Sequence, residues 1–192
     1  ILGTASARPT SSRDVSGSVF ACHEGLVIID AGEGFQVRYA QQRGRLKRAG
    51  EPSLLRPNRI AAVALTHGHL DHTWGLLPFL QTLSLDGRQQ PIMVYGPTST
   101  EILDALNYGG IDAVIPSDTS SAELLNQYRA WFKLGGTSSQ LGFPIRWLLG
   151  DPQSDRWVEF IDDATSIVWH DAMPQPDTFQ LFRMDSIPTH HS

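Results

Sequence analysis

Four side chains with the chemistry of metal ligands, His67, His69, Asp71 and His72, fall within six residues of one run, Thr66-His67-Gly68-His69-Leu70-Asp71-His72. Taken singly, each would be an ordinary polar loop residue. Together they use three of the seven histidines and set a carboxylate between them. Imidazole and carboxylate suit zinc, with bonds of about 2.0–2.2 Å. His67 and His69 are alternate residues on a chain leaving a strand, so they point the same way. Asp71 and His72 fall where the chain turns and face a second point. Two ions roughly 3.5–4 Å apart would clamp the attacking and leaving oxygens of a displacement at phosphorus. The spacing differs from the helical His-Glu-x-x-His zinc site. Gly68 puts no side chain where it would crowd the ions.

Elements on both sides must hold this run. Before it, Ile60-Ala61-Ala62-Val63-Ala64-Leu65 is a continuous apolar stretch of strand length, the pattern of a strand buried on both faces. After it, Leu76, Leu77, Leu80 and Leu83 recur at helical spacing, which predicts a helix over 74–83. Upstream, 17–21 and 26–29 read as strands joined by a short turn, and 35–48 as a helix. Downstream, 92–95 reads as a strand ended by Gly96-Pro97, followed by a helix capped by Thr98 or Ser99. Residues 120–134 predict a helix with Leu124, Leu125, Tyr128, Trp131 and Phe132 on its apolar face. Strands are expected at 157–161, 166–169 and 179–187. The order suggests a layered α/β or α+β domain.

Composition narrows the setting. The 192 residues, 41% hydrophobic and 18% charged, fit one globular domain with its own core. The net charge of −5 argues against tight non-specific nucleic-acid binding, so any such role rests on local patches such as Arg43-Gly44-Arg45-Leu46-Lys47-Arg48. That cluster reads equally as a solvated helix end. The single cysteine, Cys22, excludes an internal disulfide and fits a reducing compartment. No apolar run of membrane-spanning length and no signal peptide are visible, so a cytoplasmic protein without a membrane partner is expected.

Thr-His-x-His-x-Asp-His resembles the signature of the metallo-β-lactamase superfamily, whose fold is a four-layer αββα sandwich of the α+β class. Further segments resemble one branch, the ribonuclease Z family of tRNA 3′-processing endonucleases. They are Leu2-Gly3-Thr4-Ala5-Ser6-Ala7-Arg8-Pro9-Thr10 with Arg13 to Ser16, Asp30-Ala31-Gly32-Glu33-Gly34-Phe35-Gln36, Arg59-Ile60, Gly75-Leu76-Leu77-Pro78 and Val94-Tyr95-Gly96-Pro97. The resemblance covers Ile1 to about Leu106 and resumes near Phe179.

It implies a zinc-dependent phosphodiesterase holding two ions in a complete site, with manganese or another divalent metal as an alternative. Its substrate would be precursor tRNA and its active form a homodimer. His67 and His69 would hold one ion, with His191, or alternatively His190, from a later strand end. Asp71 and His72 would hold the other, and Asp71 would also accept the proton of the attacking water. Asp30 would order the histidine loop by hydrogen bonds. Two rivals stand beside this reading. One is a small-molecule hydrolase of the same fold, acting on an aryl sulfate or a cyclic nucleotide. The other is a binding protein with a remnant metal site.

The sequence departs from the pattern in two ways. Both ends read as cut, so the bridging aspartate, the last histidine and the general acid are expected beyond Ser192, and the second half of the sandwich reads as missing. At most one well-occupied zinc is then expected, and an exposed apolar sheet face including 60–65. Residues 112–155 read as an insertion within a single domain spanning 1–192. Trp131 and Trp147 within it read as core, Phe35 and Trp74 as packing or pocket residues, and His170 as a turn or surface histidine.

Overall fold

The computed structural model describes Leu2, residues 16–115, 120–161 and 163–185, and Ile187. Strands β1 (Gly17–Ala21), β2 (Leu26–Ala31), β3 (Ile60–Ala64), β4 (Ile92–Pro97), β5 (Ile145–Asp151), β6 (Arg156–Ile161) and β7 (Ser166–His170) form one sheet in chain order. The strands from β2 to β5 run parallel, and antiparallel pairs close both edges. Helix α1 (Phe35–Arg48) links β2 to β3, and α2 (Leu70–Thr73) and α3 (Leu76–Leu85) link β3 to β4. Helices α4 (Thr100–Gly109), α5 (Glu123–Lys133) and α6 (Ser138–Leu141) lie between β4 and β5. Residues of α1, α3, α4, α5 and α6 pack on one face of the sheet, as parallel strands added in one direction through crossovers of one hand would place them.

That face holds the main core. Phe35 and Tyr39 from α1, Phe79 and Leu80 from α3, Leu103 from α4 and Tyr128 from α5 pack on Ile28, Val63, Val94, Trp147 and Val158 of the sheet. Helix α1 stops at Gly50, whose φ of 84° is left-handed, and its last turn carries Arg45, Lys47 and Arg48 where the helix dipole favours cations. Helix α4 begins where the Ser99 side chain accepts from Ile102 N.

On the opposite face, Val27, Ala62, Met93, Tyr95, Leu148 and Trp157 form a second cluster, covered by Met173, Phe179, Phe182 and Met184. The expectation of an exposed apolar face is thereby corrected. Ala62 and Val63 are fully buried and Ile60 and Leu65 nearly so, because helices cover one side and the segment after β7 folds back over the other. The described part of 179–187 is not a strand. The Glu24 carboxylate takes the backbone N–H groups of Gln180, Leu181 and Phe182 at 3.0, 2.9 and 2.9 Å. A carboxylate thus occupies donors that a strand ladder would need. The helix layer and the sheet are two of the four layers expected. Residues 112–155 supply α5, α6 and β5, an interior strand between β4 and β6.

Candidate metal centre

The histidine run lies beyond the C-terminal ends of the parallel strands, where open α/β sheets place ligands. Strand β3 is followed by Leu65, whose N–H still reaches Tyr95 O at 2.8 Å. The chain then leaves the sheet, and His69, with ψ of 140°, is the extended residue before α2. Asp71 falls in the first turn of α2, and His72 one residue later.

Asp30, at the end of β2, ties the two ends of this loop together. It is 3% exposed and has a left-handed φ of 58°. Its Oδ1 accepts from Thr66 N at 2.8 Å, and its Oδ2 from Thr66 Oγ1 at 2.9 Å. His72 Nδ1 stands 2.7 Å from Oδ2. A carboxylate accepts, so Nδ1 carries the proton and Nε2 is left with its lone pair free for an ion. The rings of His67 and His72 lie 4.0 Å apart, and those of His67 and His69 4.6 Å apart.

Two glycines make the approach possible. A Cβ on Gly75 would overlap the carbonyl oxygen of Gly32, and Gly75 N donates to Ala31 O at 2.8 Å, which fixes the start of α3 against the end of β2. A Cβ on Gly68 would overlap the Glu123 side chain. The lack of a side chain at Gly68 therefore makes room for α5, a different reason from the one read in the sequence. One turn further along α5, Gln127 Nε2 donates to Gly68 O. Gln127 Oε1 is buried and has no hydrogen-bond partner. Nothing in the sequence marked Glu123 or Gln127, because α5 is remote from the run in the chain and meets it only through the sheet.

A cavity of about 520 Å³ opens beside the loop, lined by Thr66, His67, Pro97, Thr98, Glu101 and Asp151 among others. Asp151, at the end of β5, is buried, which disfavours its charge. Hydrogen bonds from Thr100 Oγ1, Gln153 N and Ser154 Oγ outweigh that and hold its carboxyl below the usual range. Phe35 is buried against Phe79, whereas Trp74 is 64% exposed. Trp131 and Trp147 are core residues. His170 is not a turn residue. It lies in β7 with Nε2 2.9 Å from the buried Glu159, which also pairs with Arg146. His190, His191 and residues 3–15 lie outside the described residues.

The donor set suits a divalent cation. Two donors on one ion, with bonds of roughly 2.1 Å at tetrahedral angles, stand about 3.4 Å apart. His72 Nε2 and Asp71 Oδ2 are separated by 3.6 Å. Among the described residues no group of three donors is yet gathered around one point.

A profile of the beta-lactamase superfamily domain matches residues 26–128, more than half of the 192 residues. The chain belongs to this superfamily. The matched span of the superfamily domain begins at β2 and includes Asp30, the whole histidine loop and the first half of α5, Gln127 included. Ribonuclease Z of Myxococcus xanthus is 38% identical over 105 residues, 53% of this chain and 29% of that protein. Ribonuclease Z of Pyrococcus furiosus is 31% identical over 153 residues, 76% of this chain and 46% of that protein. The chain thus spans less than half the length of these relatives. Among solved structures, human tRNase Z, short form, aligns over 84% of this chain and 54% of its own, with 25% identity and a TM-score of 0.46. Superfamily membership carries with it the use of a divalent metal.

Proposed function

We propose that this chain carries the metal-binding half of a zinc-dependent endoribonuclease that removes 3′ trailers from precursor tRNA. The observation that supports this most is the loop 66–72, with four donors in six residues, held at both ends by Asp30. The similarity to ribonuclease Z of two organisms points the same way.

In this reading His67 and His69, with His191, hold one ion, and Asp71 and His72 hold the other. Bound there, zinc supplies Lewis acidity at the scissile phosphate and activates water near neutral pH. The chain's residues do the rest. Asp30 keeps the proton of His72 on Nδ1 and so keeps Nε2 free. Asp71 receives the proton of the attacking water. Gln127 holds the Gly68 carbonyl and with it the spacing between His67 and His69. The O3′ side of the broken bond stays with the tRNA body as a hydroxyl. The working form in this proposal is a homodimer in the cytoplasm, the dimer being what the ribonuclease Z resemblance implies, and light scattering checks it. No helix among the described residues is long and apolar enough to cross a membrane.

The test uses 5′-labelled precursor tRNA and a chromogenic phosphodiester in parallel. The expected result is a trailer released with a 3′-hydroxyl on the tRNA body, and a loss of several orders of magnitude in Asp71→Ala. Turnover of the chromogenic ester without cleavage of the tRNA would assign the site to a small substrate instead. Near-normal cleavage by Asp71→Ala with metal still bound would remove the proposed base.

A further inference from the structure

Positive charge in this chain is gathered in one region. Residues 38–88 hold eight of the fifteen Arg and Lys and only three of the twenty Asp and Glu, inside a protein of net charge −5. Much of that charge converges on a cavity of about 490 Å³ at the far end of α1, where Arg43, Lys47, Arg56 and Arg88 line the wall and Asp86 is the acidic residue opposing them. Asp86 stands 3.8 Å from Arg43, and both are about half exposed.

Arg88 is different in kind. It is 2% exposed, and its guanidinium donates to the carbonyls of Gln90, Pro57, Ile60 and Pro91. No carboxylate pairs with it among the described residues. Burial lowers its pKa to about 10, which still leaves it charged at neutral pH. A buried cation held by carbonyl dipoles and the face of Phe143, rather than by a carboxylate, leaves its positive field beside the cavity.

This cavity does not stand alone. A second space of about 390 Å³ along the α1–α3 seam shares Arg43, Pro57, Leu83 and Asp86 with it. A third, of about 310 Å³, shares Gln36 and Val37 with the second and ends on Trp74. The three succeed one another as an interrupted groove along α1, roughly 20 Å at 1.5 Å per residue, bridged by the Gln36–Thr82 hydrogen bond and the Arg43–Asp86 pair. Its upper end lies two residues past His72, on an exposed indole. Its lower end is the basic cavity. An aromatic face at one end and cations along the other is the pattern that single-stranded nucleic acid selects, with bases stacked and phosphates neutralised.

We propose that the α1–α3 groove binds a single-stranded segment of the RNA substrate, a base on Trp74 and phosphates among Arg43, Lys47 and Arg56, above the buried Arg88. The proposal rests on the ribonuclease reading and adds a substrate track leading away from the metal loop. An acidic peptide would satisfy the cations but would leave the indole without a flat partner, so RNA is the better fit.

The test is fluorescence anisotropy of a labelled single-stranded oligoribonucleotide of about a dozen residues, titrated at several salt concentrations. It compares the wild type with Lys47→Glu/Arg56→Glu, two exposed positions whose replacement leaves the core untouched. If each cation meets one phosphate, the salt slope falls by about 1.4, and affinity at 0.1 M salt drops about 25-fold relative to 1 M. Trp131, Trp147 and Trp157 are buried and Trp169 is half-buried in β7, so RNA should shield from acrylamide a fluorescence component that Trp74→Leu removes and the Trp169 signal should be unaffected.

Loss of RNA affinity with unchanged hydrolysis of the chromogenic phosphodiester supports the groove. An unchanged affinity and salt slope overturns it while leaving the metal site standing. Groove-dependent RNA binding by a protein that cleaves no RNA keeps the groove and sinks the nuclease reading. Displacement of the RNA by oligoglutamate of equal charge at equal concentration, or a dimer that buries Lys47 and Trp74, would overturn the assignment of the groove to RNA.

Discussion

Replacing Asp30 with asparagine should uncouple metal binding from folding. The carboxylate accepts from Thr66 N, Thr66 Oγ1 and His72 Nδ1 at 2.8, 2.9 and 2.7 Å. Asparagine has the same shape but one acceptor oxygen and one donor nitrogen. If the oxygen stays with Thr66, the amide N–H faces His72 Nδ1. The imidazole must then accept at Nδ1, and its proton moves to Nε2, the nitrogen that has to be bare to bind an ion. Loss of such a partner typically lowers metal affinity about 10–100-fold, roughly 1.4–2.7 kcal/mol. The backbone tolerates the change, because asparagine accepts the left-handed φ of 58° at this position. Alanine there would add roughly 1–2 kcal/mol of conformational strain and confuse the two effects. Exchanging a charge-assisted hydrogen bond for a neutral one should remove about 1 kcal/mol of stability, or about 2–4 °C in Tm. The assay is zinc titration against a chromogenic chelator, with Tm measured in excess chelator so that metal does not contribute. Zinc affinity within twofold of wild type, at a Tm reduced as expected, would refute the role given to Asp30.

Three other substitutions separate support of the site from the site itself. Gly75→Ala forces a methyl into the Gly32 carbonyl, backbone against backbone, and should cost on the order of 3 kcal/mol, lowering Tm by roughly 10 °C; an unchanged melt would show that the end of β2 and the start of α3 are not in contact. Gln127→Leu removes both the hydrogen bond to Gly68 and a buried oxygen without a partner. Stability should be equal or higher while zinc affinity falls, and unchanged affinity would deny α5 its hold on the loop. Glu159 is held below the ordinary glutamate value, since Arg146 at 2.6 Å and His170 at 2.9 Å outweigh the burial that opposes its charge. A depressed carboxylate stabilises the fold above its unfolded pKa and loses that contribution as pH falls through the folded one. Denaturant titrations between pH 6 and 3 should therefore show a steeper loss in wild type than in Glu159→Gln; parallel curves would mean that the Arg146–Glu159–His170 cluster is not pH-linked.

The histidine loop was the most legible part of the sequence because its donors are neighbours in the chain. The strand before it was equally plain, since an uninterrupted apolar run such as 60–65 admits few other readings. Helix α1 was read at its observed limits, where glycines mark both ends. Strand β5 is not among the expected elements, although Trp147-Leu148-Leu149 between Pro144 and Gly150 has the same buried-strand signature in shorter form. Without β5 in the sheet, the packing of α5 against the loop cannot be foreseen. The contributions of Glu123 and Gln127 at Gly68 were then out of reach, because they depend on tertiary packing alone. Residues 179–187 alternate apolar and polar side chains like a strand, but Glu24, remote in sequence, takes their amides. The role of His170 was hidden for the same reason, since its partner Glu159 sits on the neighbouring strand.

The central claim is that the loop from Thr66 to His72 is a metal site, and metal content tests it most directly. The purified chain is loaded with zinc, passed through gel filtration and measured by inductively coupled plasma mass spectrometry, beside His67→Ala/His69→Ala. Melting in excess chelator confirms that both proteins are folded. The account predicts about one tightly held zinc per wild-type chain and almost none in the double variant. Equal zinc in the two proteins, or none in either, would contradict it.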